Sequence, residues 1–212
     1  MDEVSKSGGA AILSVFDHIY IVNLPSRTDR RREMEEQLRG IGLSLDHEQI
    51  TLFPAIRPIE KGEFPSIGCR GCFESHLTIF TDAITAGHET ILIIEDDTNF
   101  RTNFNFRFGA MAKRLLAEPW DIYYGWTRQT VGHEFDANSI EMIELEPSEA
   151  PYSTHFIGYK QSTLKILVPY LSAIAARPLG DPKGGPMHID GAFGWFRAAH
   201  PQIKTLASLY PV

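Results

Sequence analysis

Thr90-Ile91-Leu92-Ile93-Ile94-Glu95-Asp96-Asp97 is the stretch that decides how this chain is read. A continuous apolar run of strand length is the pattern of a parallel strand buried on both faces, and this one stops in three consecutive acids. In an open α/β sheet, ligands bind beyond the carboxyl ends of the strands, so the acids stand where a site is expected. If the extended geometry persists, Glu95 and Asp97 point to one side and Asp96 to the other, because side chains alternate along a strand. Two carboxylates on one side repel unless a cation lies between them. Oxygen donors suit Mg²⁺ or Mn²⁺, ions that also bind substrate phosphates, so the guest these residues suggest is a metal-bridged diphosphate. A solvated acidic turn is the competing reading, and the residues alone leave both open.

Outward from this strand, helical and extended patterns alternate. His18 to Leu24 reads as a buried strand ending at the turn-prone Asn23-Leu24-Pro25-Ser26. A helix carrying Met34, Leu38 and Ile41 follows, and Ile50 to Phe53 gives a second short strand. Cys72 to Ala86 reads as a helix with Phe73, Leu77, Phe80 and Ile84 on one stripe and Gly87 past its end. Further strands are expected at Asp121 to Trp126 and Ser153 to Tyr159, and further helices at Phe108 to Ala117 and Ser162 to Ala176. The alternation predicts an α/β fold with a single, mainly parallel sheet covered by helices. One domain spanning 1–212 is expected, with 1–15 a flexible N-terminal arm. Arg177 to Pro186, rich in Pro and Gly, reads as a mobile loop near the site.

Bulk properties narrow the function classes. The 212 residues are 43% hydrophobic and 22% charged, an ordinary globular composition. A net charge of −7 offers no general basic field for nucleic acid. No run approaches the roughly 20 apolar residues that span a bilayer, and Met1 to Gly9 lacks the layout of a signal peptide. A cytoplasmic location follows as the expectation. The two cysteines, Cys69 and Cys72, give no disulfide framework.

Several residues could carry chemistry. Arg27 and Arg30 follow the first strand, whose carboxyl end should share a rim with the acids, and Arg forks pair bidentately with phosphate; a solvated basic helix face is the alternative. Cys69-Arg70-Gly71-Cys72 with His76 has part of a zinc spacing but lacks a second ligand pair, so no zinc is expected. Ser75-His76 lacks a nucleophile elbow. His155, His188 and His200 are lone histidines, for which structural roles are expected, although His188 precedes Asp190 in a segment poor in charge.

Five blocks in order resemble glycosyltransferase family 25, the lipooligosaccharide and collagen galactosyltransferase group. They are Ile21-Val22-Asn23-Leu24 with Arg27, Asp29 and Arg30; Gly68 through His76; Ile93-Ile94-Glu95-Asp96-Asp97; Thr154-His155 with Gly158-Tyr159; and His188-Ile189-Asp190. The resemblance implies a GT-A type nucleotide-sugar transferase fold. It also implies inverting transfer of a hexose, often galactose, from a UDP-sugar to an acceptor hydroxyl on a glycan, lipooligosaccharide or protein, as in lipopolysaccharide biosynthesis. On that reading Asp97 binds Mn²⁺ or Mg²⁺, with Glu95 and His188 as further metal ligands. Glu95 or Asp96 serves the nucleotide ribose, and Arg27 and Arg30 hold the diphosphate. Asn23, Ser75 and His76 line the pocket, and Asp190 is the candidate general base, with a loop-capping or second metal-binding acid as the alternative. Two rivals stand beside this. A nucleotidyltransferase should carry a glycine-rich phosphate loop, and Asn23 to Arg30 has no glycine. A catalytically inactive nucleotide-sugar or carbohydrate-binding domain would keep the fold without turnover.

Overall fold

The computed structural model describes residues 8–127 and 139–211. The elements in chain order are α1 (Gly8–Val15), β1 (His18–Asn23), α2 (Thr28–Gly40), β2 (Ile50–Pro54), α3 (Ile67–Ala86), β3 (Thr90–Glu95), α4 (Phe104–Ala117), β4 (Ile122–Tyr124), β5 (Met142–Glu144), β6 (Phe156–Lys160), α5 (Gln161–Ala176), α6 (Ile189–Ala199) and β7 (Thr205–Ser208). One seven-stranded sheet runs β2-β1-β3-β6-β4-β7-β5. Strand alternation sends Ile91 and Ile93 to one face and Leu92 and Ile94 to the other. The first face is covered by apolar residues of α3, α5 and α6, and the second by those of α1, α2 and α4. Among the described residues, no helix is long and apolar enough to cross a membrane.

The expected mainly parallel sheet is mixed. β1 pairs in parallel with β2 and β3, and β4 with β7. β6 runs antiparallel to both β3 and β4, and β5 antiparallel to β7. A strand buried on both faces, such as Phe156-Ile157-Gly158-Tyr159, has the same apolar pattern whichever way it runs. Its direction therefore cannot be read from composition.

Two further departures have steric causes. Of the N-terminal arm expected over 1–15, residues 1–7 lie outside the described residues, and Gly8–Val15 is a helix with Ala11, Ile12 and Val15 buried. A Cβ at Gly9 would meet the Ile41 carbonyl, to which the Gly9 amide instead donates at 2.8 Å. The small residues that suggest flexibility are the ones that let this helix dock. α3 likewise begins at Ile67, ahead of the expected Cys72, because Ser66 caps it, its Oγ accepting from the Cys69 amide at 3.0 Å. Gly71 sits inside the helix since an added Cβ would collide with the Ile56 carbonyl.

β5, α6 and β7 were not anticipated. Gly191 and Gly194 argue against a helix by propensity, yet Phe193 and Phe196 of α6 are fully buried. Arg197, also buried, ties this end of the molecule together. Its Nε donates to Thr205 Oγ1 at 2.8 Å, its Nη2 to the Leu145 and Glu146 carbonyls at 2.9 Å each, and its Nη1 to the Glu149 carbonyl. Arg197→Met fills the space of the stem and supplies no donor, stranding several buried acceptors. A loss of about 3 kcal/mol or more is expected, read as a lower urea midpoint at unchanged slope.

Candidate active site

β1 and β3 are parallel, so Asn23 and the Glu95-Asp96-Asp97 turn share one rim of the sheet. Antiparallel β6 brings its leading residues, Thr154 and His155, to the same rim. There the Glu95 amide donates to the His155 carbonyl at 3.0 Å, and Thr98 Oγ1 donates to that carbonyl at 2.9 Å. The acids divide as alternation requires. Asp96 turns toward β1 and accepts from Asn23 Nδ2 at 2.6 Å, while Glu95 and Asp97 face His155. His155 Nε2 lies 3.3 Å from Asp97 Oδ1 and 3.9 Å from Glu95 Oε2. Glu95 Oε1 accepts a short bond from Thr154 Oγ1.

One ligand atom from each of Glu95, Asp97 and His155 fits within 4.8 Å of the others. The donor set, two carboxylates and an imidazole, fits a divalent cation such as Mn²⁺. Ser153 completes it. Its backbone is held at φ 106°, in a region that L side chains avoid, and its Oγ is 2.9 Å from His155 Nδ1. An imidazole that donates from Nδ1 to Ser153 presents its Nε2 lone pair to the acids, the form a metal takes. With no metal bound, Nε2 instead carries a hydrogen to Asp97; that bond holds Asp97 below the usual carboxylate range and raises His155 against the opposing effect of its burial. Burial raises Asp96, opposed by the bond from Asn23.

The acidic ridge stands between two clefts. The first, of about 560 Å³, is walled by Val22, Leu24 and Arg27 after β1, by Ala55, Ile56 and Arg57 after β2, and by Gly71, Cys72 and Ser75 of α3. Glu95, Asp96 and Asp97 close it. The second, of about 750 Å³, is bounded by Asp97, Asn99, Arg101, Trp126, Tyr152, His155 and Asp190. Asp97 borders both.

The expected site residues separate on this map. Arg27 reaches the first cleft while holding Asp29 at 2.8 Å, whereas Arg30 pairs with Glu33 at 3.2 Å and lines neither cleft. Ser75 is buried and spans two elements: it donates to the Gly71 carbonyl at 2.7 Å and accepts from the Ile56 amide at 2.8 Å. His76 is buried behind the cleft, and burial lowers its pKa. Asp190, in the first turn of α6, accepts from the Gly191 amide at 2.8 Å and lines the second cleft. His188 is exposed and stands outside the metal-ligand group, where His155 takes the imidazole place. The loop from Arg177 to Pro186 contributes to neither cleft and is closed by Arg177, which donates to the Lys183 and Gly184 carbonyls at 2.5 and 3.0 Å. Arg57 and His155 were not anticipated as site residues. Arg57 carries no sequence signal, while His155 sits in the Thr154-His155 block quoted above.

The family profile described as Glycosyltransferase family 25 (LPS biosynthesis protein) matches residues 16–174. The chain belongs to glycosyltransferase family 25. A glycosyltransferase 25 family member of Anopheles gambiae is 29% identical over 171 residues, 67% of this chain and 26% of that protein. Procollagen galactosyltransferase 1 of Danio rerio is 30% identical over 169 residues, 68% of this chain and 26% of that protein. Inactive glycosyltransferase 25 family member 3 of Homo sapiens is 27% identical over 127 residues, 51% and 21% respectively. The chain thus spans about a quarter or less of the length of these relatives. Its seven-stranded α/β sheet is GT-A-like, and the acidic ridge lies within the matched stretch.

The family's Gly-Cys block forms the start of α3, where both cysteines are free. Burial raises Cys69 and pushes the Cys72 thiol up to about 12. Because the thiolate is the reactive form, both thiols should react slowly with DTNB at pH 7.5 in the native protein and promptly in guanidinium. Fast native labelling of Cys72 would show that its environment is more open and polar than described.

Proposed function

We propose that this domain is a metal-dependent, inverting hexosyltransferase that moves galactose or a related hexose from a UDP-sugar to an acceptor hydroxyl on a glycan, lipooligosaccharide or protein. The observation that carries this reading is the Glu95, Asp97 and His155 group on a ridge with a cleft at either side. A donor in the first cleft and an acceptor in the second would meet across Asp97. Inversion by single displacement requires such opposed approaches.

In the first cleft, Arg27 and Arg57 offer forked donors to a diphosphate. Asp96, steadied by Asn23, offers an acceptor to the ribose hydroxyls. The metal, bound by Glu95, Asp97 and His155, would neutralise charge developing on the departing diphosphate. From the second cleft, Asp190 takes the proton of the acceptor hydroxyl as general base. A cytoplasmic setting with membrane contact only through the acceptor belongs to the same proposal, and the two free cysteines suit it.

Because some relatives bear the name inactive, binding without turnover is the second reading, and one pair of variants separates the roles. UDP with Mn²⁺ should raise the melting temperature, by about 2.7 kcal/mol of stabilisation at 100 times its dissociation constant, and excess EDTA should abolish the shift. Asp97→Asn should weaken Mn²⁺-dependent UDP binding and turnover together. Asp190→Asn should keep UDP affinity while release of UDP from UDP-galactose in the presence of acceptor falls by roughly 10² to 10⁴. UDP binding that is indifferent to EDTA would remove the metal from the reading. Metal-dependent binding with no turnover on any acceptor would favour the inactive one.

A further inference from the structure

Three buried side-chain atoms have no hydrogen-bond partner among the described residues: His76 Nε2, Tyr124 Oη and Tyr159 Oη. They belong to the same side of the sheet. Tyr159 stands opposite Ile122 and Tyr124 opposite Ile157, which makes the two tyrosines diagonal neighbours within reach of each other. His76 and Tyr159 share two ring neighbours. Phe80 lies 6.1 Å from the His76 ring and 4.9 Å from the Tyr159 ring, and Phe193 lies 6.1 and 5.9 Å from them. Glu95 falls on this face as well, two residues beyond Ile93, which packs in the same core as Tyr124 and Tyr159. Burial raises the Tyr159 hydroxyl well above its ordinary range, with Tyr124, Cys72 and Glu95 each adding to the effect through space. These groups therefore converge behind the acidic ridge, on its core side.

The hydrogen-bond valences can be assigned. His76 Nδ1 is 2.9 Å from the Cys72 carbonyl, which can only accept, so Nδ1 carries the hydrogen. Burial keeps the ring neutral, which leaves Nε2 as an acceptor without a donor. Each tyrosine hydroxyl has one hydrogen to give. Leaving all three atoms unpaired costs more than immobilising a water molecule, and buried waters sit where two to four such groups meet.

We infer that His76, Tyr124 and Tyr159 enclose an internal water site behind Glu95, and that water held there buttresses the Glu95 carboxylate from the core side. One water has the valence required: it accepts from the two hydroxyls and donates to His76 Nε2 and to Glu95. On the opposite side Thr154 Oγ1 donates to Glu95 Oε1, so the carboxylate is braced from both sides. The three residues are positioning residues, and the buttressing half of this inference rests on the metal role proposed for Glu95.

The first test is a high-resolution crystal structure of the full chain without nucleotide or metal. Density for a water within about 3.2 Å of His76 Nε2 and of at least one tyrosine hydroxyl is expected. A dry site, or a hydroxyl bonded directly to Nε2, would overturn the inference. The second test is Tyr159→Phe, which keeps the ring contacts with Phe80 and Phe193. Removing an unpartnered hydroxyl would raise the melting temperature, whereas removing one that binds water lowers it, the result expected here. Mn²⁺ affinity, followed by the electron paramagnetic resonance of the free ion, should fall by about 10- to 100-fold. Unchanged Mn²⁺ affinity would refute the buttress. A wild-type protein that holds the water and binds no Mn²⁺ would instead sink the metal reading of the preceding section while the water site stands. If Tyr159→Phe does not fold, Tyr124→Phe serves for the same comparison.

Discussion

The antiparallel pairing of β6 with β3 is the constraint on which the site depends. It ends in the backbone bond from the Glu95 amide to the His155 carbonyl, at the point where β3 gives way to the acidic turn. A parallel β6 would bring its carboxyl end, with Lys160, to this rim and carry His155 to the far side of the sheet. The reversal instead delivers Ser153, Thr154 and His155 as a unit, each engaged with the acids or with the imidazole that faces them. Thr98 adds its hydroxyl to the same His155 carbonyl, which fixes the turn against the strand.

That concentration of charge is unfavourable without a partner. Two carboxylates whose oxygens lie within 4.8 Å repel by roughly 1 kcal/mol under water-like screening and about 3.5 kcal/mol at an effective dielectric of 20. His155 offsets this when protonated, and a divalent cation offsets it more fully. The directions agree: the histidine is raised and Asp97 lowered, each chiefly through their shared hydrogen bond. Alternation turns Asp96 toward Asn23, whose hydrogen bond opposes the raising effects of burial and of the neighbouring Asp97 charge.

Much of this was legible in the sequence, and the rest was hidden for identifiable reasons. The run Thr90 to Ile94 fixed a central strand, and its alternation correctly divided Asp96 from Glu95 and Asp97. Periodicity found β1, α2, α5 and most of α3. It missed α6, whose glycines lower helix propensity while Phe193 and Phe196 bind it to the core. It missed α1 because Gly8 and Gly9 look flexible until the close contacts they permit are seen. The site suffered most where strand direction mattered. The resemblance offers His188 as a metal ligand, whereas His155 reaches the acids only because β6 is reversed. Arg57 sits in a loop, with no periodic or charge pattern to mark it, and is brought to the cleft by the β1–β2 pairing.

Of the described residues that line the two clefts, Asp190 and Pro211 alone lie beyond the stretch matched by the family profile. The matched stretch, residues 16–174, holds Arg27, Arg57, the acidic ridge and His155, which together form the first cleft and the ligand group. Asp190 lies beyond it, on a helix held both by Arg197 and by Phe193, which packs against Tyr159 of β6. On the reading proposed above, a relative that lacks the base on α6 and keeps the first cleft would bind without turnover, and relatives named as galactosyltransferase and as inactive can then share one architecture. Within this chain the two clefts meet at Asp97, the residue that borders both and whose carboxylate is held by His155.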